Sequence, residues 1–194
     1  MDKPKIIIFG GGGHCKSCID VIETENRFII AGIVDIKEKI GEEILGYKII
    51  GCDFDIPELI KKYKNALITI GQISSPENRI RIFNILENNQ ANLPTIISPF
   101  AYVSKHTKIG KGTIVLHHAL IYANAQIGIN CIINSKALIE QDVEIGDHCH
   151  ISTSSVVNGG VKIGDKVFFG SNAVSRQGVE ISDYSFIKAN SIVK

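Results

Sequence analysis

Tryptophan is absent from the 194 residues, methionine occurs once, and positive and negative charges almost cancel. With 21 Lys and Arg against 20 Asp and Glu the net charge is +1, so there is no basic field to attract nucleic acid or an anionic membrane. Long apolar runs are missing as well. The N-terminus, Met1-Asp2-Lys3-Pro4-Lys5, leads into only four apolar residues before glycines begin, far short of the ~20 that cross a bilayer and too few for a secretion signal. These absences predict a cytoplasmic protein with neither nucleic acid nor membrane as partner. Five cysteines, an odd number without a secretion signal, read as reduced thiols. A single C-x-x-C occurs, Cys15-Lys16-Ser17-Cys18. With no second pair to complete a zinc site, no metal is expected, and the motif reads as a redox pair or as helix cysteines packing inward.

What is plentiful is isoleucine, which favours β structure, and in the second half it is periodic. Ile-Gly stands at 109–110, 127–128, 145–146 and 163–164, each 18 residues apart, and Ile181-Ser182 continues the series. Six residues after each isoleucine stand Val115, Ile133, Ile151, Phe169 and Ile187. Eleven after stand Leu120, Leu138, Val156, Val174 and Ile192. A six-residue apolar period within an 18-residue coil fits a three-sided parallel β-helix. Antiparallel strands would not hold one phase over five turns. Residues at one offset then stack about 4.8 Å apart, which makes Cys131 and Cys149 neighbouring core thiols rather than a disulfide or metal pair.

The first half alternates strand and helix, as a small parallel sheet does. Strands are predicted at 5–9, 28–34 and 66–70, and helices at 15–24, 55–63 and 76–88. Asn89–Pro99, with Pro94 and Pro99, reads as the connection. The domains expected are an α/β nucleotide-binding domain over 1–92 and a β-helix over 93–194. The first strand runs into Gly10-Gly11-Gly12-Gly13 at a helix N-terminus, where bare backbone amides and the helix dipole favour an anion. Asp35, ending the next strand, sits where an acid meets a ribose or base edge. Cys15 occupies the place of the third glycine of G-x-G-x-x-G, so a ligand-free tight turn is the alternative.

The strand–GGGGHCK–helix opening, Ile33-Val34-Asp35, Ile68-Thr69-Ile70-Gly71 and the Ile-Gly solenoid together resemble the sialic acid O-acetyltransferase and UDP-4-amino-sugar N-acetyltransferase family. The resemblance covers nearly the whole chain and implies a left-handed β-helix. It further implies a homotrimer that binds acetyl-CoA and a nucleotide-linked amino sugar, with active sites between neighbouring β-helices. By the same resemblance the nucleotide loop falls on Gly10, Gly12, Gly13 and His14, the nucleobase-contacting acid on Asp35, and further contacts on Lys37 and Gly71. Catalytic positions fall on Asn134, Asp142 and His150, and acetyl-CoA contacts on His150, Gly159 and Ala189.

Two departures stand out. Gln141 occupies the place of the family's histidine, before the acidic Asp142. A carboxamide takes no proton at neutral pH, whereas imidazole with a pKa near 6.5 does, and general-base help is worth ~10²–10⁴ in rate. The family's Gly/Pro-containing tail is also not found after Asn190-Ser191-Ile192-Val193-Lys194; either that tail is missing from the sequence or the CoA site is less enclosed. Gln141 and His150 lie on different edges of one solenoid and would meet only across a trimer interface. His117, His118 and His148 read as solvated or interface histidines.

The chemistry implied is attack of a sugar amine on the acetyl-CoA thioester. An amine sheds its proton only after attack, so positioning and polarisation can carry catalysis without a base. O-acetylation of a hydroxyl needs a base during attack, which Gln141 does not supply. The remaining reading is a catalytically degenerate, nucleotide-sugar-binding regulatory homologue.

Overall fold

The computed structural model describes residues 3–194. Contacts divide the chain into two compact units, Met1–Gly71 with Glu77–Pro94, and Gln72–Pro76 with Thr95–Lys194. The division is not linear, because five residues from the middle of the first half belong with the solenoid. Among the described residues no helix is long and apolar enough to cross a membrane.

The first unit runs β1 (Lys5–Phe9), α1 (Gly13–Glu25), β2 (Ile29–Val34), β3 (Glu43–Ile44), β4 (Tyr47–Gly51), α2 (Ile56–Tyr63), β5 (Asn65–Ile68) and α3 (Glu77–Asn88). The sheet order is β3-β4-β2-β1-β5. β4, β2, β1 and β5 are parallel and β3 is antiparallel to β4. Ile6, Ile7 and Ile8 are wholly buried, as a parallel strand covered on both faces requires. β5 stops two residues earlier than expected, at Ile68. Beyond it, Arg79 Nη1 donates to the carbonyls of Ile68 (2.9 Å) and Ile70 (2.8 Å), and Thr69 Oγ1 to that of Gly10 (2.6 Å). The β3–β4 hairpin had no sequence signal, since residues 36–54 show no alternating run. Its turn rests on Leu45 (φ 48°) and Gly46 (φ 83°), the left-handed pair that a tight hairpin needs.

α1 buries Cys15, Cys18, Ile19 and Ile22 along one face, the i, i+3, i+4, i+7 pattern of an amphipathic helix. Burial raises the Cys15 thiol to about 11 and pushes Cys18 higher still. Neither carries thiolate at neutral pH, so the C-x-x-C is a packing motif and the redox reading is set aside.

In the second unit every coil contributes three two-residue strands, each pairing in parallel with the strand 18 residues on, as in Ile127↔Ile145 and Ile133↔Ile151. Three sheets of six, six and five strands result, forming a left-handed β-helix. Inward residues recur every six positions, for example Ile127, Ile133 and Ile139. This corrects the third apolar set. The residues eleven past each Ile point outward: Leu120 is 38% and Ile192 67% exposed, while the inward ladder at that side is Ile121, Ile139, Val157 and Ser175. Adjacent apolar pairs such as Leu120-Ile121 hide which member faces the core. Cys131 and Cys149 stack inside, the Cys149 amide lying 3.4 Å from Cys131 Sγ.

The corners explain the rest of the repeat. Every sixth residue from Gly112 to Asn190 has a positive φ, between 52° and 70°, a conformation that Asn, Asp and Gly adopt at little cost. The glycine after each isoleucine is steric, since a Cβ on Gly110 would lie 2.6 Å from the Gly128 carbonyl carbon of the next coil. Asp147, Asp165 and Asp183 stack along the same corner. Each Oδ1 accepts a backbone N–H from the coil before it, at 2.8–2.9 Å.

Candidate functional site

At the carboxyl ends of β1, β2, β4 and β5 lies a cavity of about 480 Å³, where open α/β sheets bind their ligands. Its floor is the glycine run, and the four glycines divide by function. A Cβ on Gly10 (φ 108°) would lie 2.5 Å from Ile70 Cγ1 and 2.9 Å from its backbone nitrogen; on Gly11 it would lie 2.8 Å from Asp35 Oδ2. The fold itself demands these two. Gly12 and Gly13 face open space, so folding does not demand glycine there, whereas a phosphate group approaching the backbone would. Gly12 is the N-cap of α1 and supplies no side-chain cap, leaving the first amides of the helix for an anion.

Asp35 organises this loop. Its Oδ2 accepts the Gly11 N–H at 2.5 Å and its Oδ1 the Ile36 N–H at 2.7 Å, with Lys39 Nζ at 3.4 Å. Burial opposes ionisation, but the Ile36 and Gly11 amides and the Lys39 charge outweigh it and hold the carboxyl below its usual range. Lys37 and Gly71 also line the cavity. His14 Nε2 lies 3.3 Å from Cys18 Sγ, one turn along α1. Sequence reasoning missed the far wall: exposed Phe54, and Arg81 paired with Asp53 at 2.7 Å. Only adjacency to the unanticipated hairpin would have pointed there.

On the solenoid the structure joins two of the expected residues. Asn134 Nδ2 and His150 Nε2 are 3.1 Å apart, and His150 Nδ1 lies 2.5 Å from the backbone oxygen of Gln72. A carbonyl only accepts, so Nδ1 carries the ring proton and Nε2 accepts from the amide. Asn134 is oriented in turn by Ser135, whose N–H donates to Oδ1 at 2.8 Å. His150 is 6% exposed and packs edge-on against Phe168 at 5.3 Å between centroids. Gln72 is itself buried, and its carboxamide has no hydrogen-bond partner among the described residues. It serves His150 through its backbone.

Gln141 and Asp142 occupy a different corner of the solenoid, in agreement with the offsets. Gln141 Nε2 packs against Gly159, so closely that a Cβ there would displace it, and the Gln141 carbonyl accepts the Gly160 N–H at 3.0 Å. Asp142 holds a left-handed corner (φ 59°) and accepts from Asn124 Nδ2 at 2.8 Å, a bond that draws its carboxylate to the preceding coil. Ala189 is exposed on the last coil, against Gly170. His148 pairs with Asn130 (3.0 Å), His117 with Ser98 (2.5 Å), and His118 stacks on Phe100.

Residues 5–86 match the family model of the PglD N-terminal domain, and residues 160–194 that of the hexapeptide repeat of succinyl-transferase. Among solved structures, a mutant of perosamine N-acetyltransferase from Caulobacter crescentus in complex with CoA and GDP-perosamine is 28% identical. It superposes with a TM-score of 0.91 over 98% of this chain and 88% of that one. The acetyltransferase domain of PglB from Neisseria gonorrhoeae in complex with acetyl coenzyme A is 22% identical, with a TM-score of 0.88 over 99% and 93% of the two chains. WeeI from Acinetobacter baumannii is 17% identical, with a TM-score of 0.71 over 92% and 94%. These last two share the fold. Comparison with curated proteins returned no match.

Proposed function

We propose that the chain is a hexapeptide-repeat acyltransferase, and that it moves the acetyl group of acetyl-CoA onto the amine of a nucleotide-linked amino sugar; the repeat match, the left-handed β-helix and the likeness to the C. crescentus structure support this. One observation carries the reading: a single chain holds both a cavity floored by Gly12 and Gly13, which the fold leaves bare, and a solenoid bearing the Asn134–His150 pair. The relative from C. crescentus, similar along nearly the whole chain, was solved with CoA and a GDP-linked sugar, which supports both substrates.

In this reading the amides of Gly12, Gly13 and His14 hold the diphosphate, and Asp35, Lys37 and Gly71 border the nucleoside. The neutral sugar amine attacks the thioester carbon, the C–S bond breaks, and the departing thiolate takes the proton that the new amide sheds. No residue need remove that proton before attack. Gly159 and Ala189 border the CoA arm, and Gln141 with Asp142 approaches Asn134 and His150 from a neighbouring chain of a homotrimer. We place the protein in the cytoplasm, where its five free cysteines stay reduced. Gln141, whose exposed carboxamide replaces a titratable group, favours a second reading, a nucleotide-sugar-binding homologue without turnover. Thiol release from acetyl-CoA with a panel of UDP-, GDP- and dTDP-amino sugars separates them, because the second reading binds sugars and releases nothing. Light scattering that finds a stable monomer at micromolar concentration would remove the shared site.

A further inference from the structure

The hydrogen bonds around His150 have a direction. Gln72 C=O accepts from Nδ1, Nε2 accepts from Asn134 Nδ2, and Asn134 Oδ1 accepts from the Ser135 amide. Every polar site of the ring is occupied. Within this relay the hydrogen left over is the second on Asn134 Nδ2, which has no partner among the described residues on a half-buried side chain. The amide cannot rotate to offer its oxygen instead, because that would set its NH₂ group against the Ser135 N–H. Successive bonds of this kind polarise one another and stiffen the final donor.

We infer that Asn134 is the donor to the thioester carbonyl oxygen and that His150 is its positioning residue, not a base. The inference rests on the acetyl transfer proposed above. As the amine nitrogen bonds to the thioester carbon, the carbonyl electrons move to oxygen, and the free Asn134 N–H meets the charge that develops there. Collapse re-forms the carbonyl and expels the CoA thiolate, which takes the amine proton. The Gln72 carbonyl fixes the ring tautomer that makes the amide face outward. A preset donor aimed at developing charge serves a reaction whose nucleophile needs no base.

Three measurements on the full chain test this. With ¹⁵N-histidine labelling, NMR at neutral pH should show His150 protonated at Nδ1 and bare at Nε2; the opposite tautomer or a doubly protonated ring overturns the relay. With acetyl-CoA carrying a ¹³C carbonyl, the infrared stretch should lie lower in the wild type than in Asn134→Asp, and equal frequencies overturn the donor. In turnover, Asn134→Asp should lose ~10²–10³-fold in kcat, the usual worth of one such donor. His150→Gln can still accept from Asn134 through Oε1 and should retain activity within ~10-fold, whereas His150→Leu should fall as Asn134→Asp does. Loss in His150→Gln equal to that in His150→Leu overturns the positioning role. A wild type that neither binds acetyl-CoA nor releases thiol sinks the proposed function instead, and the NMR result then still decides the relay.

Discussion

At the scale of single residues, the glycine run separates what folding requires from what a ligand requires. Gly12 has extended backbone (φ −79°, ψ −168°) and open space beyond its Cα, so Gly12→Val should still fold, with only the small loss in melting temperature that valine brings at an N-cap. Calorimetry should nevertheless show weakened nucleotide-sugar binding, and full affinity would reduce the run to a mere turn. Gly10→Ala should instead destabilise the fold, because its φ and the Ile70 backbone both oppose a Cβ. Asp35 provides a test by pH. A carboxyl held below its usual range stabilises the folded state above the ordinary carboxylate pKa near 4, and that contribution is lost as pH falls through the folded value. Asp35→Asn should therefore lower the melting temperature at pH 7, and the gap to the wild type should narrow as pH falls below the ordinary carboxylate pKa. Gln141→His would place a titratable ring beside Asp142 and should raise turnover by up to ~10²-fold. Since Asn124 holds the Asp142 carboxylate, adding Asn124→Ala should enlarge that gain by freeing Asp142 to orient the ring. Robust wild-type activity abolished by Gln141→His would give the glutamine a role of its own.

At the scale of elements, the solenoid was legible because its constraint is local and repeats. The Ile-Gly pair records two facts at once, an inward side chain and a corner too tight for a Cβ. The left-handed residue at every sixth position was also there to be read, as Asn124, Asn130, Asp142, Gly160, Asn172, Gly178 and Asn190. Asn172→Val should accordingly cost about 1–2 kcal/mol in chemical denaturation while Asn172→Gly costs little; equal losses would deny that φ sets the choice. Hydropathy alone could not fix the phase of the third sheet, where Leu120 and Ile121 are both apolar. Nor could it reveal the β3–β4 hairpin, whose apolar residues Ile44, Leu45, Tyr47, Ile49 and Ile50 keep no single alternation. The glycine loop and Asp35 were legible because they are a short-range motif. The bond from His150 to Gln72 spans 78 residues and uses a backbone oxygen, so no residue type announces it.

At the scale of the whole molecule, the non-linear division of the chain bears on how it can be taken apart. Gln72–Pro76 is written within the α/β half yet belongs with the solenoid, and it carries the carbonyl on which the tautomer of His150 depends. A cut near residue 94 would look clean by sequence, but a fragment beginning there would keep His150 and Asn134 and lose the acceptor that orients them. Chimeras assembled from relatives face the same difficulty. A foreign N-terminal half would bring its own path for these five residues, and with it a new setting for a side chain it never encodes. Exchange of parts between such enzymes is therefore constrained at one peptide group as well as at the obvious seam, and a recombination library would find its viable crossovers accordingly.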